Sequence, residues 1–191
     1  MIVVDIETSG FNVNKNDLIE LGAVLLNDDL TVKSEFHCYL KPVKPQYWKY
    51  EAENIHGITL NEAMCFKDGR ESLIDFLNYL APELENFPLK FICHAKNKWD
   101  YNFLKGTFLK FGLIESFFKA FNAEHYESTI DLSRETLELP NYKLNTVCEA
   151  LSIDLTHHKA LSDAKACSEI YRLLKPKFEH NKMGLFQDMN I

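Results

Sequence analysis

The first forty residues alternate between apolar runs and short polar turns, which predicts three β-strands. The run at 1–10 is rich in β-branched residues and closes on a Thr-Ser-Gly turn signal. After an Asn-rich loop, Leu18–Leu26 is again apolar, and an Asn-Asp-Asp turn separates it from the run at 31–40. Short apolar runs bounded by turn residues are typical of strands. The short connections between these runs favour an antiparallel meander of three strands.

The rest of the chain alternates between helical and strand-like patterns. Apolar residues at helical spacing predict helices at 71–84, 99–112, 115–126, 143–151 and 160–174. Leu89–Cys93 predicts a fourth strand, and 129–132 predicts a short edge strand. Thr59 and Glu62 have the spacing of a capping box for a short helix. This order of elements predicts an α/β fold with a central mixed five-stranded sheet flanked by helices.

The C-terminal end of the chain has a weaker pattern. We expect Pro176 to end the last helix, because proline cannot donate the backbone hydrogen bond of a helix interior. The last dozen residues show no clear period. We therefore expect residues 1–175 to form one domain and residues 176–191 to form a loose tail.

Composition narrows the class of protein. A chain of 191 residues is long enough for one domain with one core. The net charge of −7 argues against binding nucleic acid through bulk charge, although bound cations can offset the acids of a metal-dependent nuclease. The five cysteines form no C-x-x-C pair, and the chain has neither a long apolar run nor a signal-peptide layout. These features favour a cytoplasmic protein with reduced thiols and no membrane span.

Asp5 and Glu7 are the first residues that indicate chemistry. Residues two apart on a strand point to the same face of the sheet, so the two carboxylates lie side by side. Their mutual repulsion is most simply offset by a divalent cation such as Mg²⁺, which prefers oxygen ligands. The same short pattern is equally compatible with an acid that starts a turn.

Two further acids occur where the predicted fold would bring them back to the first strand. Asp100 comes soon after the strand Leu89–Cys93, and Asp163 lies near the start of the last predicted helix. Ala160, Ala164 and Cys167 form the apolar stripe of that helix, so Asp163 should lie close to the sheet. A buried acid is costly unless a metal ion or a hydrogen-bond donor compensates its charge.

These residues resemble the motifs of a known enzyme family. Asp5-x-Glu7, Asp100, and His158-x-Ala160-x-x-Asp163 resemble the three exonuclease motifs of the DnaQ-like superfamily, in its DEDDh branch. The segments 19–24, 56–59 and 142–144 also resemble the family, so that the likeness covers most of the chain. It implies a ribonuclease H-like fold and a 3′→5′ exonuclease that releases nucleoside 5′-monophosphates.

The resemblance also implies a role for each motif residue. Asp5, Glu7 and Asp163 would hold a first Mg²⁺ ion. Asp5 would bridge to a second ion, which Asp100 would reach through water, and Mn²⁺ would substitute for Mg²⁺. His158 would be the general base that deprotonates the attacking water, because the pKa of an imidazole lies near neutral pH.

The resemblance further points to residues that would contact the substrate, a single-stranded 3′ end of DNA or RNA. Thr8, Ser9 and Gly10 would place backbone N–H groups near the terminal nucleotide. His56 would lie near the scissile end or would serve as a structural cap. Trp99 would stack on a base, since aromatic faces stack on bases with little sequence preference. A homodimer or a polymerase-type partner would also fit the family.

Several assignments have competing readings. His157 and His158 are both candidates for the general base, and the family spacing of five residues before Asp163 selects His158. His94 could be a metal ligand, but a histidine that ends a buried strand is more often hydrogen-bonded within a loop. Lys96 and Lys98 could meet phosphates or could simply be solvated.

Three functions remain open at this point. The first is a single-strand DNA exonuclease, either free-standing or a proofreading subunit. The second is an RNA-trimming 3′→5′ exoribonuclease of the ribonuclease T or oligoribonuclease type, because the recognition of a 2′-OH depends on local shape that the sequence does not show. The third is a non-catalytic nucleic-acid-binding subunit on the same fold.

Overall fold

The computed structural model describes residues 1–84, 88–156 and 158–188, with side chains described up to residue 176 and at residue 179. Five strands form one sheet. In chain order they are β1 (Ile2–Thr8), β2 (Leu18–Leu26), β3 (Val32–Tyr39), β4 (Leu89–Cys93) and β5 (Phe121–Ser128).

The sheet is mixed, with the strand order β3-β2-β1-β4-β5. The pairs β1–β2 and β2–β3 are antiparallel, whereas β1–β4 and β4–β5 are parallel. Antiparallel strands can be joined by short turns, while parallel strands need a crossover, which helices provide here. The predicted meander and the predicted five-stranded mixed sheet are both confirmed.

Eight α-helices surround the sheet within the described residues. They are α1 (Tyr50–His56), α2 (Leu60–Ala63), α3 (Gly69–Leu80), α4 (Trp99–Lys110), α5 (Ile114–Ala120), α6 (Thr129–Thr136), α7 (Leu144–Leu151) and α8 (Ala160–Asp188). The predicted capping box is present at the start of α2, where Thr59 and Glu62 exchange hydrogen bonds. No helix in this part of the chain is both long enough and apolar enough to cross a bilayer.

The strands present alternate residues to two helical layers. Ile2, Val4 and Ile6 of β1 belong to the core cluster that includes α3, α4 and α5. Val3 belongs to the cluster on the other face, with α6, α7 and α8. Since residues two apart share a face, Asp5 and Glu7 continue the row of Val3 toward the end of the strand. The two acids therefore lie on the α8 side of the sheet.

Two predicted elements were placed wrongly around β5. The predicted helix at 115–126 ends early, because α5 stops at Ala120 and Phe121–Ser128 is a strand. The predicted edge strand at 129–132 is instead the first turn of α6, capped by Ser128 Oγ, which accepts a hydrogen bond from Ile130 N–H. The aromatic residues of this region fit a helix or a strand equally well. Parallel pairing with β4 decides the outcome.

The prediction that Pro176 ends the last helix was also wrong, since α8 continues to Asp188. Proline removes the hydrogen bond to the carbonyl four residues earlier, here that of Arg172. Both Pro176 and Arg172 are exposed, so water can satisfy this carbonyl and the helix is not forced to stop. The end of the predicted tail at 189–191 lies outside the described residues.

Candidate active site

The site begins with the last residues of β1. Asp5 and Glu7 are half-buried and line an open cleft of about 760 Å³. In the pairing with β2, Asp5 lies opposite Gly22 and Glu7 lies opposite Glu20. The regular pleat of the strand therefore sets the two carboxylates side by side on the α8 face, as the sequence predicts.

Gly22 allows α8 to approach the sheet at this point. A β-carbon at residue 22 would lie 2.2 Å from the carbonyl carbon of Ala160 and 2.3 Å from the backbone nitrogen of Leu161. Only glycine leaves room for that backbone. The first turn of α8 consequently rests on β2 and brings the buried Asp163 to the same cleft as Asp5.

Asp163 also fixes the loop that carries His158. The backbone N–H of His158 donates a hydrogen bond to Asp163 Oδ2 over 3.1 Å, and His158 has a left-handed backbone with φ 60°. This hydrogen bond is the physical basis of the five-residue spacing between His158 and Asp163 in the sequence. The exposed His158 ring reaches the cleft, where Glu7, His158 and Asp163 each offer one ligand atom and these atoms lie within 4.8 Å of one another. The competing His157 lies outside the described residues.

Asp100 enters the cleft from the other side of β1. It lies in the first turn of α4, which begins soon after β4, and Lys98 before it takes a left-handed conformation. The side chain is buried and lines the same cleft. Parallel pairing of β4 with β1 places the carboxyl ends of both strands at one edge of the sheet, which brings Asp100 near Asp5.

The charges of neighbouring acids raise the pKa values of Asp5 and Glu7, in addition to the effect of burial. Burial raises the pKa of Asp5 well above its usual range, and the charges of Asp100, Asp163 and Glu7 raise it further. Burial and the charge of Asp163 raise the pKa of Glu7 to about 8, and burial raises the pKa of Asp100 to about 6. A cluster of carboxylate oxygens suits a divalent cation. The positive charge of the cation would favour the ionised form of carboxyl groups whose pKa values are otherwise raised.

The lining of the cleft also includes cationic and aromatic groups. It carries the cationic side chains of Lys96, Arg134 and Lys143, with the Trp99 ring beside them. Arg134 lies over the Tyr142 ring, 5.7 Å from its centroid. The same cleft thus combines a cluster of acids with a cationic and aromatic lining, although the chain as a whole is acidic.

The comparisons with known proteins agree with this arrangement. Residues 2–171 match the model of the RNase_T exonuclease family. The chain belongs to the DnaQ-like exonuclease family. Its relatives include the PolC-type DNA polymerase III of Thermotoga petrophila, with 28% identity over 171 residues that cover 89% of this chain and 11% of that protein. They also include the DNA polymerase III subunit epsilon of Rickettsia typhi, with 27% identity over 180 residues, 89% of this chain and 71% of that subunit.

The fold of this exonuclease domain also occurs in solved structures. E. coli Exonuclease I in complex with a dT13 oligonucleotide matches with a TM-score of 0.77 and 17% identity, over 97% of this chain and 43% of that one. Exonuclease I from Methylocaldum szegediense matches with a TM-score of 0.73 and 17% identity, over 92% and 40% of the two chains. These likenesses establish the ribonuclease H-like fold.

His94 is a fixed neutral residue of the exonuclease domain. Its Nδ1 lies 2.7 Å from Thr129 Oγ1, and its Nε2 lies 3.0 Å from the carbonyl oxygen of Tyr142. Burial lowers the pKa of His94 to about 4. With both nitrogens hydrogen-bonded, His94 holds α6 and the segment around Tyr142 against the end of β4. The expectation of a hydrogen-bonded loop histidine is confirmed.

The predicted substrate residues divide into two groups. Trp99 lines the cleft, whereas Thr8, Ser9 and Gly10 are buried and are not among its lining residues. The Ser9 N–H donates to the Asp17 carbonyl oxygen over 2.8 Å. His56 is buried at the end of α1, and its Nδ1 accepts a hydrogen bond from Ile58 N–H over 3.0 Å. Burial lowers the pKa of His56. This placement favours the structural-cap reading of His56.

Sequence reasoning missed the exposed aromatic residue Phe11. Its side chain is 70% exposed, and its ring lies 6.4 Å from that of Trp99, centroid to centroid. Phe11 and Trp99 line a second groove of about 550 Å³ that shares Ala95 and Lys96 with the main cleft. The signal in the sequence was a large apolar residue at the start of an otherwise polar loop. Arg134 and Lys143 were missed because their distance in sequence from the acidic motifs hides their position.

Proposed function

We propose that this domain is a 3′→5′ exonuclease that hydrolyses single-stranded DNA ends to nucleoside 5′-monophosphates. The observation that carries the proposal is the convergence of four acids and one histidine in an open cleft that cationic side chains also line. The acids are Asp5, Glu7, Asp100 and Asp163, and the histidine is His158.

The donor set of the cleft suits two divalent cations. Glu7 and Asp163, together with Asp5, would hold one Mg²⁺ ion, while Asp5 and Asp100 would hold a second, and Mn²⁺ would substitute. Two such ions stabilise the attacking and leaving oxygens of a phosphodiester during hydrolysis. The raised pKa values of Asp5, Glu7 and Asp100 support this assignment, because a bound cation stabilises the ionised carboxylates.

His158 is the proposed general base. Its ring is exposed at the mouth of the cleft, and its backbone is held by Asp163. An imidazole near neutral pH can take the proton of the attacking water and later return it to solvent. Asp163 would therefore orient the base as well as hold a cation.

The cationic and aromatic lining of the cleft suits a single strand of nucleic acid. Lys96, Arg134 and Lys143 would contact phosphates, and Phe11 and Trp99 would stack on bases that are free of a complementary strand. The relatives that are named as DNA polymerase III proteins favour DNA and a polymerase-type partner.

All five cysteines lie among the described residues and are free thiols, which favours the cytoplasm.

The chain spans only 11% of the length of the PolC-type DNA polymerase III of Thermotoga petrophila. The activity is therefore best tested on this chain directly. A 5′-labelled single-stranded DNA and the matching RNA are incubated separately with Mg²⁺, with Mn²⁺ or with EDTA. We expect a ladder that shortens from the 3′ end only with metal, and faster shortening of the DNA.

The control variants separate catalysis from folding. Asp5→Asn should abolish shortening because it weakens the ligand proposed for both cations, whereas Asp28→Asn in the exposed turn after β2 should retain it. If the RNA were shortened faster than the DNA, the domain would instead be an RNA-trimming exoribonuclease. If wild-type protein retained either oligonucleotide without shortening it under all metal conditions, the domain would be a binding module.

A further inference from the structure

Glu20 is a buried acid that the proposed mechanism does not use. It lies in β2, and only 1% of the residue is exposed to solvent. One carboxylate oxygen, Oε1, lies 2.8 Å from His37 Nε2. The other oxygen, Oε2, is buried and has no hydrogen-bond partner among the residues that the structure describes. Leaving such an oxygen unsatisfied is costly, so its position requires an explanation.

The position of Glu20 relates it to the metal site. Glu20 is the direct partner of Glu7 in the antiparallel pairing of β1 and β2. Directly opposed residues of an antiparallel pair lie on one face of the sheet, with β-carbons about 4.5–5.5 Å apart. Glu20 therefore lies beside Glu7 on the α8 face. Its charge raises the pKa of Glu7, after the larger effects of burial and Asp163.

A purely structural acid on this face of the sheet has a different environment. Glu35 of β3 is 40% exposed at the side chain and forms an ion pair with Lys165 of α8 over 2.7 Å. Glu20, in contrast, is fully enclosed, and His37 holds only one of its oxygens. A second carboxylate next to Glu7 is repulsive unless a positive charge lies nearby.

We propose that Glu20 is a positioning residue of the metal site. His37 fixes Oε1, and a cation held by Glu7 would offset the charge on the unpaired Oε2 next to it. Mg²⁺ and Mn²⁺ retain water ligands, and carboxylates outside the direct ligand set orient those ligands. This inference rests on the proposed function, because it requires a cation at Glu7 and Asp163.

The test measures metal binding without nucleic acid and without turnover. The full chain is titrated with Mn²⁺ by calorimetry, and its thermal unfolding is followed in EDTA and in Mn²⁺. Four further variants are compared with wild type: Glu20→Gln, His37→Gln, Glu35→Gln and Asp5→Asn. Glu35→Gln is the matched control, since it removes the same charge from the adjacent strand on the same face.

We expect Glu20→Gln to raise the Kd for Mn²⁺ by about 10–100-fold, the usual effect of losing an outer carboxylate of a metal site. His37→Gln should raise the Kd in the same direction but by less, and Glu35→Gln should leave it unchanged. In EDTA, the melting temperature of Glu20→Gln should be no lower than that of wild type, because a buried charge has been removed. The rise in melting temperature on adding Mn²⁺ should be smaller in Glu20→Gln.

Other outcomes overturn the inference in distinguishable ways. If Glu20→Gln bound Mn²⁺ as tightly as wild type, Glu20 would have no role at the metal site. If Glu20→Gln failed to fold, the His37→Gln variant would test the proposal, because the His37 side chain is 31% exposed and its replacement releases Oε1 of Glu20. Unchanged Mn²⁺ affinity in His37→Gln would then refute the proposal. If wild type and Asp5→Asn both bound no Mn²⁺, the proposed function itself would fail.

Discussion

The contact between Gly22 and the start of α8 predicts that one methyl group can disable the active site. In Gly22→Ala, the new β-carbon would lie 2.2 Å from the Ala160 carbonyl carbon and 2.3 Å from the Ala160 oxygen. Both atoms are backbone, so no side chain can rotate away. Since tight β-carbon contacts lie at 3.0–3.4 Å, the first turn of α8 must move by about 1 Å, and overpacking of this kind costs about 1–3 kcal/mol of stability.

The same movement displaces two of the proposed catalytic groups. Asp163 lies on the first turn of α8, and His158 is hydrogen-bonded to it, so both would shift away from Asp5 and Glu7. A displacement of about 1 Å in a catalytic group can lower the rate about 10²-fold. We therefore expect Gly22→Ala to lose about two orders of magnitude in kcat, together with weaker Mn²⁺ binding.

The assay compares initial rates on labelled single-stranded DNA, well below the melting temperature of each variant. Gly69→Ala is the matched control, because its β-carbon would lie 2.4 Å from the Phe111 ring, on the face of the sheet opposite to α8. It should lose stability but keep its kcat. If Gly22→Ala kept wild-type kcat, Mn²⁺ affinity and stability, the close approach of α8 to β2 would be refuted.

Three further predictions concern individual side chains. His158→Ala should lower kcat by about 10²–10⁴-fold with Mn²⁺ affinity retained, as expected for loss of a general base. The control is His125→Ala, because His125 is exposed. If His157→Ala lost the same kcat while His158→Ala did not, the general base would be residue 157. In EDTA, the folded state holds protons that the unfolded chain has released, because the pKa of Glu7 is raised from 4.5 to about 8 and that of Asp100 from 3.8 to about 6. The free energy of unfolding should therefore fall as the pH rises from the unfolded pKa values toward the raised folded values, and Glu7→Gln should make this fall less steep. Denaturant titrations at several pH values measure the free energy of unfolding. Identical pH slopes for wild type and Glu7→Gln would contradict the raised pKa of Glu7. Phe11→Ala should raise KM by removing about 1–3 kcal/mol of base stacking with little change in kcat; the equally exposed Tyr50→Ala is the control, and a loss confined to kcat would rule out stacking.

The proposed catalytic residues were accessible to sequence reasoning because each belongs to a short local pattern. Asp5 and Glu7 share a face through the period of a strand, and the spacing between His158 and Asp163 corresponds to one hydrogen bond in the structure. The apolar run Leu89–Cys93 marked the strand that precedes Asp100. Elements with a clear period and clear boundary residues were thus predicted at nearly the right limits.

The errors have a common physical cause. Phe121–Ser128 contains residues that fit helix or strand equally well, and pairing with β4 makes this segment a strand. The helix α6 therefore begins only at Thr129, capped by Ser128 at the end of that strand. Pro176 would end an isolated helix, but its exposed position on α8 allows water to replace the lost donor. In each case a contact with a neighbouring strand or with solvent overrides the local preference.

By itself, the sequence determined the strands and helices with regular apolar periods, the acidic motifs, and the family to which these motifs point. Only the tertiary structure decided which residues share the cleft. Lys96, Arg134 and Lys143 line the same cleft as the acids, Phe11 meets Trp99, and the acid opposite Glu7 is buried. The physical reason is that local periodicity fixes the direction of a side chain within its own element, whereas sheet pairing and helix packing fix which distant elements meet.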